Sequence, residues 1–297
     1  MEKILLDTDI GSDIDDAVCL AYLLANPQCE LLGITTVLGE TQKRAELASA
    51  MVYQAGKQVP IFPGASRTVY GHTRPSEVTQ HKALGGWKHD SVFAQGEWLE
   101  FMKHTIEANP GEVTLLAIGP MTNVGLLFAA YPELPGKLKR LVLMCGEFTD
   151  RFTHIVPIEW NARCDPYATA MVYDTTVSIH KSVGLDVTFQ VNMSAEKIRK
   201  YFTHPILQPV LDYAGVWFEE ADVITFHDPL TAVDIFHNDV LTFERGDVHV
   251  EISDPCNMGK TILNKNKDGR HLVAETVDTN KFFKHYFSVF GIDFAEA

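Results

Sequence analysis

A dense run of aspartates, DTDIGSDIDDA, occupies residues 7–17, directly after the apolar segment KILL. It places five carboxylates within ten residues, those of Asp7, Asp9, Asp13, Asp15 and Asp16. Carboxylates this close together repel one another unless a positive charge lies among them. The run therefore indicates either a cation site or the start of a helix, whose N-terminal end attracts negative charge.

A helix start explains only part of this run. Asp13 could cap a helix, with Asp15 and Asp16 in the first turn, where carboxylates complement the helix dipole. This explanation leaves Asp7 and Asp9 unassigned at the end of a buried strand. The unassigned pair favours a cation site over a purely structural role.

Other polar side chains follow apolar segments elsewhere in the chain. Asp228, in FHDPL, is by itself typical of a helix cap because Pro229 follows it. Glu159 and Asn161, in IEWNARCD, bring an acid and an amide to the end of a long loop. His81 lies in a polar loop, where a single histidine is ordinarily solvated. Each of these features, taken separately, is compatible with a structural role.

Short β-type runs alternate with helical patterns over residues 1–180, which predicts a mostly parallel sheet with helices on both faces. The predicted strands are KILLD, ELLGITTVLG, VPIF, EVTLLAIG, LKRLVLMCG and TTVSIH. Near the C-terminus, NKDG predicts a hairpin turn between GKTILN and RHLVAETV, followed by a helix from Asn280 to Phe290. We therefore expect one domain over residues 1–297: an α/β, Rossmann-like open sheet with a small antiparallel C-terminal extension.

Several of the polar residues are predicted to meet at one edge of this sheet. Ligands of open parallel sheets bind outside the carboxyl ends of the strands. The residues that follow successive strands, or begin a later helix, are Asp9, Asp16, Ile118, Glu159 to Asn161 and Asp228. Oxygen donors without cysteine or paired histidine favour Ca²⁺ or Mg²⁺. The sequence therefore predicts a site for a hard cation at this edge.

Composition argues against several classes of function. A net charge of −14 disfavours binding to a nucleic-acid backbone, which requires a basic surface. No apolar run approaches the roughly 18 residues of a membrane span, and an acidic residue interrupts MEKILLDTD before a signal-peptide core can form. The five cysteines show no CxxC spacing, which indicates reduced thiols and a cytoplasmic protein. We expect a small-molecule ligand, with no nucleic-acid or membrane partner.

Two better-known motifs do not fit the sequence, and a third fits poorly. NMGKT lacks the first glycine of a phosphate-binding P-loop, since Asp254 occupies that position. An EF-hand alignment puts Ser12 where the loop glycine belongs and Val18 where the bidentate glutamate belongs. A haloacid-dehalogenase-type phosphatase needs a hydroxyl directly after its aspartate pair, where Ile10 and Gly11 stand here. That phosphatase stays an alternative, which would require Mg²⁺ and release phosphate.

Taken together, the motifs resemble those of the inosine-uridine type nucleoside N-ribohydrolases. The matching segments, in order along most of the chain, are the aspartate run, ITTVLGE, AIGPMTN, EWNARCDP and HDP. The resemblance implies a Rossmann-like core, a tightly bound Ca²⁺ and hydrolysis of the N-glycosidic bond of a nucleoside. It also implies a homotetramer or homodimer, both of which are common in the family.

The resemblance further implies roles for individual residues. The calcium ligands it implies are Asp9, Asp16, Asp228 and the backbone carbonyl of Ile118. Asp9 would also face the nucleophilic water on the calcium ion. His227 matches a histidine beside the leaving base, and His81 matches a second histidine near the base. Asp15, Glu159 and Asn161 match residues that hold ribose hydroxyls.

Three departures from the family pattern concern the sugar side of the site. The segment between Gly11 and Asp15 is two residues longer than in the family. Glu40 stands where an asparagine commonly follows VxG, and Thr153 where an asparagine usually precedes the Glu159 position. Glu40 and Thr153 are therefore the expected sugar-facing residues, and a modified ribose stays an open alternative.

The chemistry of glycosidic hydrolysis fits this set of residues. The reaction passes through an oxocarbenium-like transition state. An aspartate beside a dication is a weak base, because its pKa lies at or below about 3.9. Most of the catalysis should then come from carboxylates that stabilise the cationic sugar and from a histidine, of pKa near about 6.5, that protonates the base.

The leading interpretation is a calcium-dependent nucleoside hydrolase. Two further alternatives stay open beside the phosphatase. One is an enzyme on the same scaffold that hydrolyses modified or non-nucleoside N-ribosides. The other is a sensor that binds a sugar or nucleoside and catalyses nothing.

Overall fold

The computed structural model describes residues 1–70, 77–149 and 151–295. The strands in these ranges are β1 (Glu2–Thr8), β2 (Cys29–Thr36), β3 (Ile61–Pro63), β4 (Val113–Ala117), β5 (Arg140–Met144), β6 (His180–Val183), β7 (Asn192–Ser194), β8 (Val223–Thr225), β9 (Leu241–Val250), β10 (Thr261–Lys265) and β11 (His271–Val277). Nine of these described strands form one sheet in the order β10-β9-β11-β6-β5-β4-β1-β2-β3. β7 and β8 form a separate antiparallel pair.

The helices in the same ranges are α1 (Asp15–Ala25), α2 (Thr41–Gln54), α3 (Trp98–Ala108), α4 (Thr122–Ala130), α5 (Trp160–Cys164), α6 (Pro166–Tyr173), α7 (Leu185–Thr188), α8 (Ala195–Tyr201), α9 (Gln208–Trp217), α10 (His227–Phe236) and α11 (Thr279–Ser288). Short 3₁₀ helices occupy Thr79–Gly86, Pro135–Lys137 and Pro205–Leu207. Among the described residues, no helix combines the length and the apolar character needed to span a bilayer.

The centre of the sheet is parallel and covered on both faces. Neighbouring strands from β3 through β2, β1, β4 and β5 to β6 pair in parallel, which confirms the predicted α/β fold. Alternate residues of β1 face opposite sides of the sheet. Ile4 and Leu6 pack in one cluster with α1, α10 and α11, whereas Leu5 packs in another with α3, α4 and α6. This two-sided cover explains why β1 is an uninterrupted apolar run.

The C-terminal strands differ from the prediction. β10 and β11 do not form a hairpin with each other, because both pair antiparallel with β9, which lies between them. β11 also pairs in parallel with β6, so these strands extend the main sheet. The loop after β10 packs closely on β9, and a Cβ at Gly269 would lie 2.3 Å from the backbone of Gly246. The hairpin prediction was wrong because turn chemistry in NKDG carries no information about a strand from earlier in the chain.

Two further elements, β6 and α3, also differ from what the sequence predicts. The strand predicted at TTVSIH begins only at His180, because Thr175 hydrogen-bonds back to the end of α6, with Oγ1 2.9 Å from the Met171 carbonyl oxygen. No helix was predicted over α3, whose apolar residues pack on the sheet. The sequence also predicts a long polar loop at about residues 64–90, which contains His81, and positions 71–76 of this loop lie outside the described ranges.

Candidate active site

A cavity of about 450 Å³ lies at the carboxyl edge of the parallel strands. Its lining includes residues that follow β1, β4, β5 and β6 and residues in the first turns of α1, α5 and α10. Eight of the residues predicted to bind a metal or substrate or to act in catalysis line it: Asp9, Asp15, Asp16, Ile118, Glu159, Asn161, His227 and Asp228. The fold thus brings together side chains that are up to about two hundred residues apart in the chain.

Three carboxylates from the first turns of α1 and α10 lie close together. One oxygen from each of Asp15, Asp16 and Asp228 lies within 4.8 Å of the other two, and all three residues are buried. Burial, and then repulsion between neighbouring aspartates, raises the pKa of each carboxyl well above its usual range. A dication among them would remove this repulsion, and a set of oxygen donors suits Ca²⁺ or Mg²⁺.

Helix capping does not account for these aspartates. The N-cap position of α1 is Ile14, which makes no side-chain cap. Asp13 precedes the N-cap and accepts hydrogen bonds from the backbone N–H groups of Ile14, at 2.6 Å, and of Asp15. Asp228 lies inside the first turn of α10, after the N-cap residue Phe226. Neither Asp13 nor Asp228 is therefore the N-cap residue that the sequence predicts.

Asp7 and Asp9 have different surroundings. Asp7 is fully buried and accepts hydrogen bonds from Thr35 Oγ1 at 2.5 Å and Asn123 Nδ2 at 2.7 Å. Burial raises the pKa of Asp7 to about 7. Asp9 lines the cavity and lies against Gly119, where a Cβ would come within 2.9 Å of its Oδ1. Asp7 therefore ties β1 to β2 and α4, and Asp9 faces the site.

The convergent carboxylates overlap with the predicted metal ligands without being the same set. Asp16 and Asp228 belong to both sets, and Asp15 takes the third place in the structure. Asp9 and Ile118 line the same cavity. Asp15, which the resemblance assigns to a ribose hydroxyl, is thus also close enough to the other two carboxylates to share a cation with them.

Glu159 and Asn161 order one wall of the cavity. Glu159 caps α5 by accepting from two N–H groups of that helix and from the N–H of Gly146 at 3.0 Å. Asn161 Nδ2 donates to the carbonyl oxygens of Ile118 at 2.8 Å and Met144 at 3.1 Å. These carbonyls lie at the ends of β4 and β5, so the pair fixes the α5 segment against the edge of the sheet.

His227 and three aromatic side chains form another part of the wall. The Nδ1 atom of His227 lies 2.7 Å from Thr188 Oγ1, and its ring meets that of Phe189 edge to face. Burial lowers the pKa of His227 to about 4, so the imidazole is neutral near pH 7, contrary to the value expected from sequence. The lining also includes Trp160 and Trp217, and neither Phe189 nor Trp217 was predicted. Such rings suit a flat, partly apolar ligand.

Three predicted ligand-binding residues lie elsewhere in the structure. Glu40 is half exposed and forms an ion pair of 2.5 Å with Lys43, one helical turn later. His81 forms a contact of 2.6 Å with Glu46. Thr153 lies in a turn of the loop before α5. These three side chains are not among the described residues that line the cavity.

Comparisons with known proteins point to one family. The model of the inosine-uridine preferring nucleoside hydrolase family matches residues 4–284. The inosine-uridine preferring nucleoside hydrolase of Leishmania major is 29% identical over 301 residues, which cover 95% of this chain and 95% of that protein. Uridine nucleosidase 1 of Arabidopsis thaliana is 28% identical over 280 residues, which cover 89% of this chain and 82% of that protein. A purine-preferring ribonucleoside hydrolase from Gardnerella vaginalis has the same fold, with a TM-score of 0.82 at 21% identity over 97% of this chain and 98% of its own.

Proposed function

Because the chain belongs to the inosine-uridine preferring nucleoside hydrolase family, we propose that it hydrolyses the N-glycosidic bond of ribonucleosides to free base and ribose. The observation that carries this proposal is the convergence of Asp15, Asp16 and Asp228 beside Asp9 in one buried cavity. Carboxylates that can stabilise a cationic sugar and aromatic side chains that can contact a base therefore line the same cavity.

We propose Ca²⁺ as the cofactor, because the donors are all oxygen atoms. Asp15, Asp16 and Asp228 would hold it, with Asp9 and the Ile118 carbonyl at the same edge. When bound, the cation supplies a fixed positive charge that offsets the aspartates and makes water more acidic. Burial and the repulsion between neighbouring aspartates, which raise the pKa of all three carboxyls well above the usual range, support a cation among them.

Catalysis by the protein groups follows from their charge. As the glycosidic bond breaks, positive charge develops on the sugar, and buried carboxylates stabilise it. Asp9 is the proton acceptor for the attacking water, since it faces the cavity directly after β1. A carboxylate is a weak base, so the water attacks a sugar that is already nearly a cation.

The leaving base is handled by a neutral histidine. When Thr188 donates its hydroxyl hydrogen to Nδ1 of His227, the neutral ring carries its own proton on Nε2. That N–H can hydrogen-bond to the departing base and stabilise the negative charge that develops on it. The rings of Phe189 and Trp217 supply apolar surface beside this contact.

A glycosidase assay tests the proposal. Purified protein with Ca²⁺ should release reducing sugar from inosine or uridine, and the activity should disappear in excess chelator. The competing functions have their own readouts in the same preparation. Phosphate release from p-nitrophenyl phosphate with Mg²⁺ would establish the phosphatase instead. Nucleoside binding by calorimetry, without turnover of purine, pyrimidine or nicotinamide ribosides, would establish the sensor.

Two further properties are part of the proposal. None of the five cysteines forms a disulfide within the described residues, which supports a cytoplasmic location. The resemblance to the family supports a homodimer or homotetramer, and light scattering on the purified protein would measure the mass.

A further inference from the structure

Two buried side chains hold the backbone of the aspartate loop, residues 9–13. Arg44 Nη1 donates to the carbonyl oxygens of Asp9 and of Ile10, the latter at 2.9 Å. The backbone N–H of Gln80 donates to the Gly11 carbonyl at 3.2 Å. Gln80 Nε2 donates to the carbonyls of the next two residues, at 3.0 and 2.8 Å. Five successive carbonyls of the loop therefore accept hydrogen bonds from two residues, Arg44 and Gln80.

Arg44 also reaches a second loop at the same edge of the sheet. Its Nε donates to the Leu38 carbonyl at 2.8 Å, and Nη2 donates to Ser12 Oγ at 3.1 Å. Leu38 has a φ of +69°, a conformation that is rare for leucine, and its side chain is buried. Arg44 therefore joins the loop after β1 to the loop after β2. It contacts the second loop at Leu38, whose backbone conformation is strained.

Burying the Arg44 guanidinium is unfavourable unless its charge and its donors are used. Arg44 and Gln80 are both 0% exposed. A buried guanidinium loses its hydration, which carbonyl dipoles and nearby negative charge must replace. Asp9 and Asp16 supply the negative charge, since the positive charge of Arg44 acts on both carboxyls. The positive charge of Arg44 thus offsets part of the negative charge of the neighbouring aspartates.

The loop requires such support because of its length. The chain between β1 and α1, residues 9–14, forms no helix or strand, and ordering such backbone costs conformational entropy. Without the hydrogen bonds to its carbonyls, the loop would not fix the distance between Asp9 and the Asp15–Asp16 pair. Ligand groups for a cation need to be held within a fraction of an ångström to bind well.

We propose that Arg44 and Gln80 are positioning residues that set the separation of Asp9 from the Asp15–Asp16 pair, and thereby the affinity for the cation and the rate of catalysis. This inference depends on the proposed function for its kinetic part. Neither residue is among the described residues that line the cavity, so each acts through the loop it holds.

The test uses variants that change the hydrogen bonds with little change in volume. Arg44→Lys keeps the charge and loses the planar set of donors, and Gln80→Glu keeps the shape and loses both Nε2 hydrogens. Tyr286→Phe is the matched control, since it removes a buried hydrogen bond of 3.1 Å to the Val18 carbonyl in α1, away from the loop. Calorimetry on metal-free protein gives the Ca²⁺ dissociation constant, and steady-state kinetics on inosine give kcat and KM.

We expect Arg44→Lys and Gln80→Glu each to weaken Ca²⁺ binding and to lower kcat by about 10–100-fold, with KM changed far less. Tyr286→Phe should lower Tm without changing either quantity. If the two loop variants only lower Tm, as the control does, the inference is wrong. Should the wild type bind Ca²⁺ but hydrolyse no nucleoside, the proposed function fails, and the dissociation constants alone still decide the role of the two residues.

Discussion

The backbone N–H of Asp228 donates a hydrogen bond of 3.2 Å to the carboxylate of Asp15, across 213 residues of sequence. The bond joins the first turns of α1 and α10, so two helix N-termini meet at the aspartate cluster. A helix N-terminus stabilises an adjacent negative charge by roughly 0.3–1 kcal/mol. Two unit charges about 4 Å apart repel by about 4 kcal/mol at an effective dielectric constant of about 20. The helix ends are therefore too weak to replace a cation here.

A pair of aspartate variants separates cation binding from proton transfer. Asp228→Asn removes one of the three convergent carboxylates and should weaken Ca²⁺ binding, with loss of the thermal stabilisation that Ca²⁺ confers. Asp9→Asn should retain more of the Ca²⁺ affinity but lose about 10²–10⁴-fold in kcat, because the attacking water loses its proton acceptor. Calorimetry and kinetics on the same samples measure both quantities. Full activity of Asp228→Asn in excess chelator would contradict the assignment of the cluster.

His227 should act as a neutral hydrogen-bond donor. Its pKa of about 4 means that the ring loses its extra proton as pH rises through that value and stays neutral above it. The rate should therefore not fall between about pH 6 and pH 8 through loss of a protonated histidine. His227→Ala should slow inosine far more than nitrophenyl riboside, whose leaving group needs no assistance. Equal losses on both substrates would show that His227 does not assist the leaving base.

A buried histidine away from the cavity, His180, should limit stability in acid. It is 1% exposed, and in the described part of the chain neither ring nitrogen has a hydrogen-bond partner. Burial, and then the charges of His271 and Arg270, lowers the pKa of His180 well below its usual value. The unfolded chain takes up a proton near pH 6.5, whereas the folded protein resists it. Stability is therefore fully present above about pH 6.5 and falls as pH decreases below it.

The variant His180→Phe tests this explanation. It should flatten the decrease in stability, which a single buried histidine can steepen by up to about 1.4 kcal/mol per pH unit. Urea unfolding at a series of pH values from about 7.5 to 5 measures the slope. His104→Gln, at an exposed helix position, is the control and should leave the slope unchanged. An unchanged slope in His180→Phe would mean that other groups cause the acid sensitivity.

The sequence predicts a residue of the cavity when that residue directly follows a parallel strand, because the fold class then fixes its place. Asp9 and Ile118 follow parallel strands, so the fold class alone places them at one edge of the sheet. The role of Asp228 could be predicted only from the motif HDP, because its local sequence is also that of a helix cap. Arg44 and Gln80 could not be found in this way, since burial of a charged or amide side chain depends on two loops that meet only in the folded chain.

The errors have the same origin. The hairpin prediction used the local turn sequence, and β9 takes the place between β10 and β11 through long-range pairing. The assignment of Glu40 used its position in a motif. The backbone turns at Leu38 and Gly39, both at φ +69°, and the side chain then meets Lys43 at the surface. The position of Glu40 in the motif thus places it on the loop after β2, but the motif does not determine the direction of its side chain.

Glu40 provides the last prediction, which reverses the one that its sequence position suggests. If Glu40 faced the sugar, Glu40→Asn would restore an amide and raise kcat/KM on inosine by the equivalent of about 1–3 kcal/mol. The structure instead gives Glu40 an exposed ion pair, and such pairs contribute about 0–1 kcal/mol at most. We therefore expect Glu40→Asn to leave kcat/KM on inosine and uridine within about threefold of the wild type. Asp15→Asn, in the cavity, should reduce it by orders of magnitude in the same assay. A large gain for Glu40→Asn would mean that the loop rearranges to bring residue 40 to the sugar when a nucleoside binds.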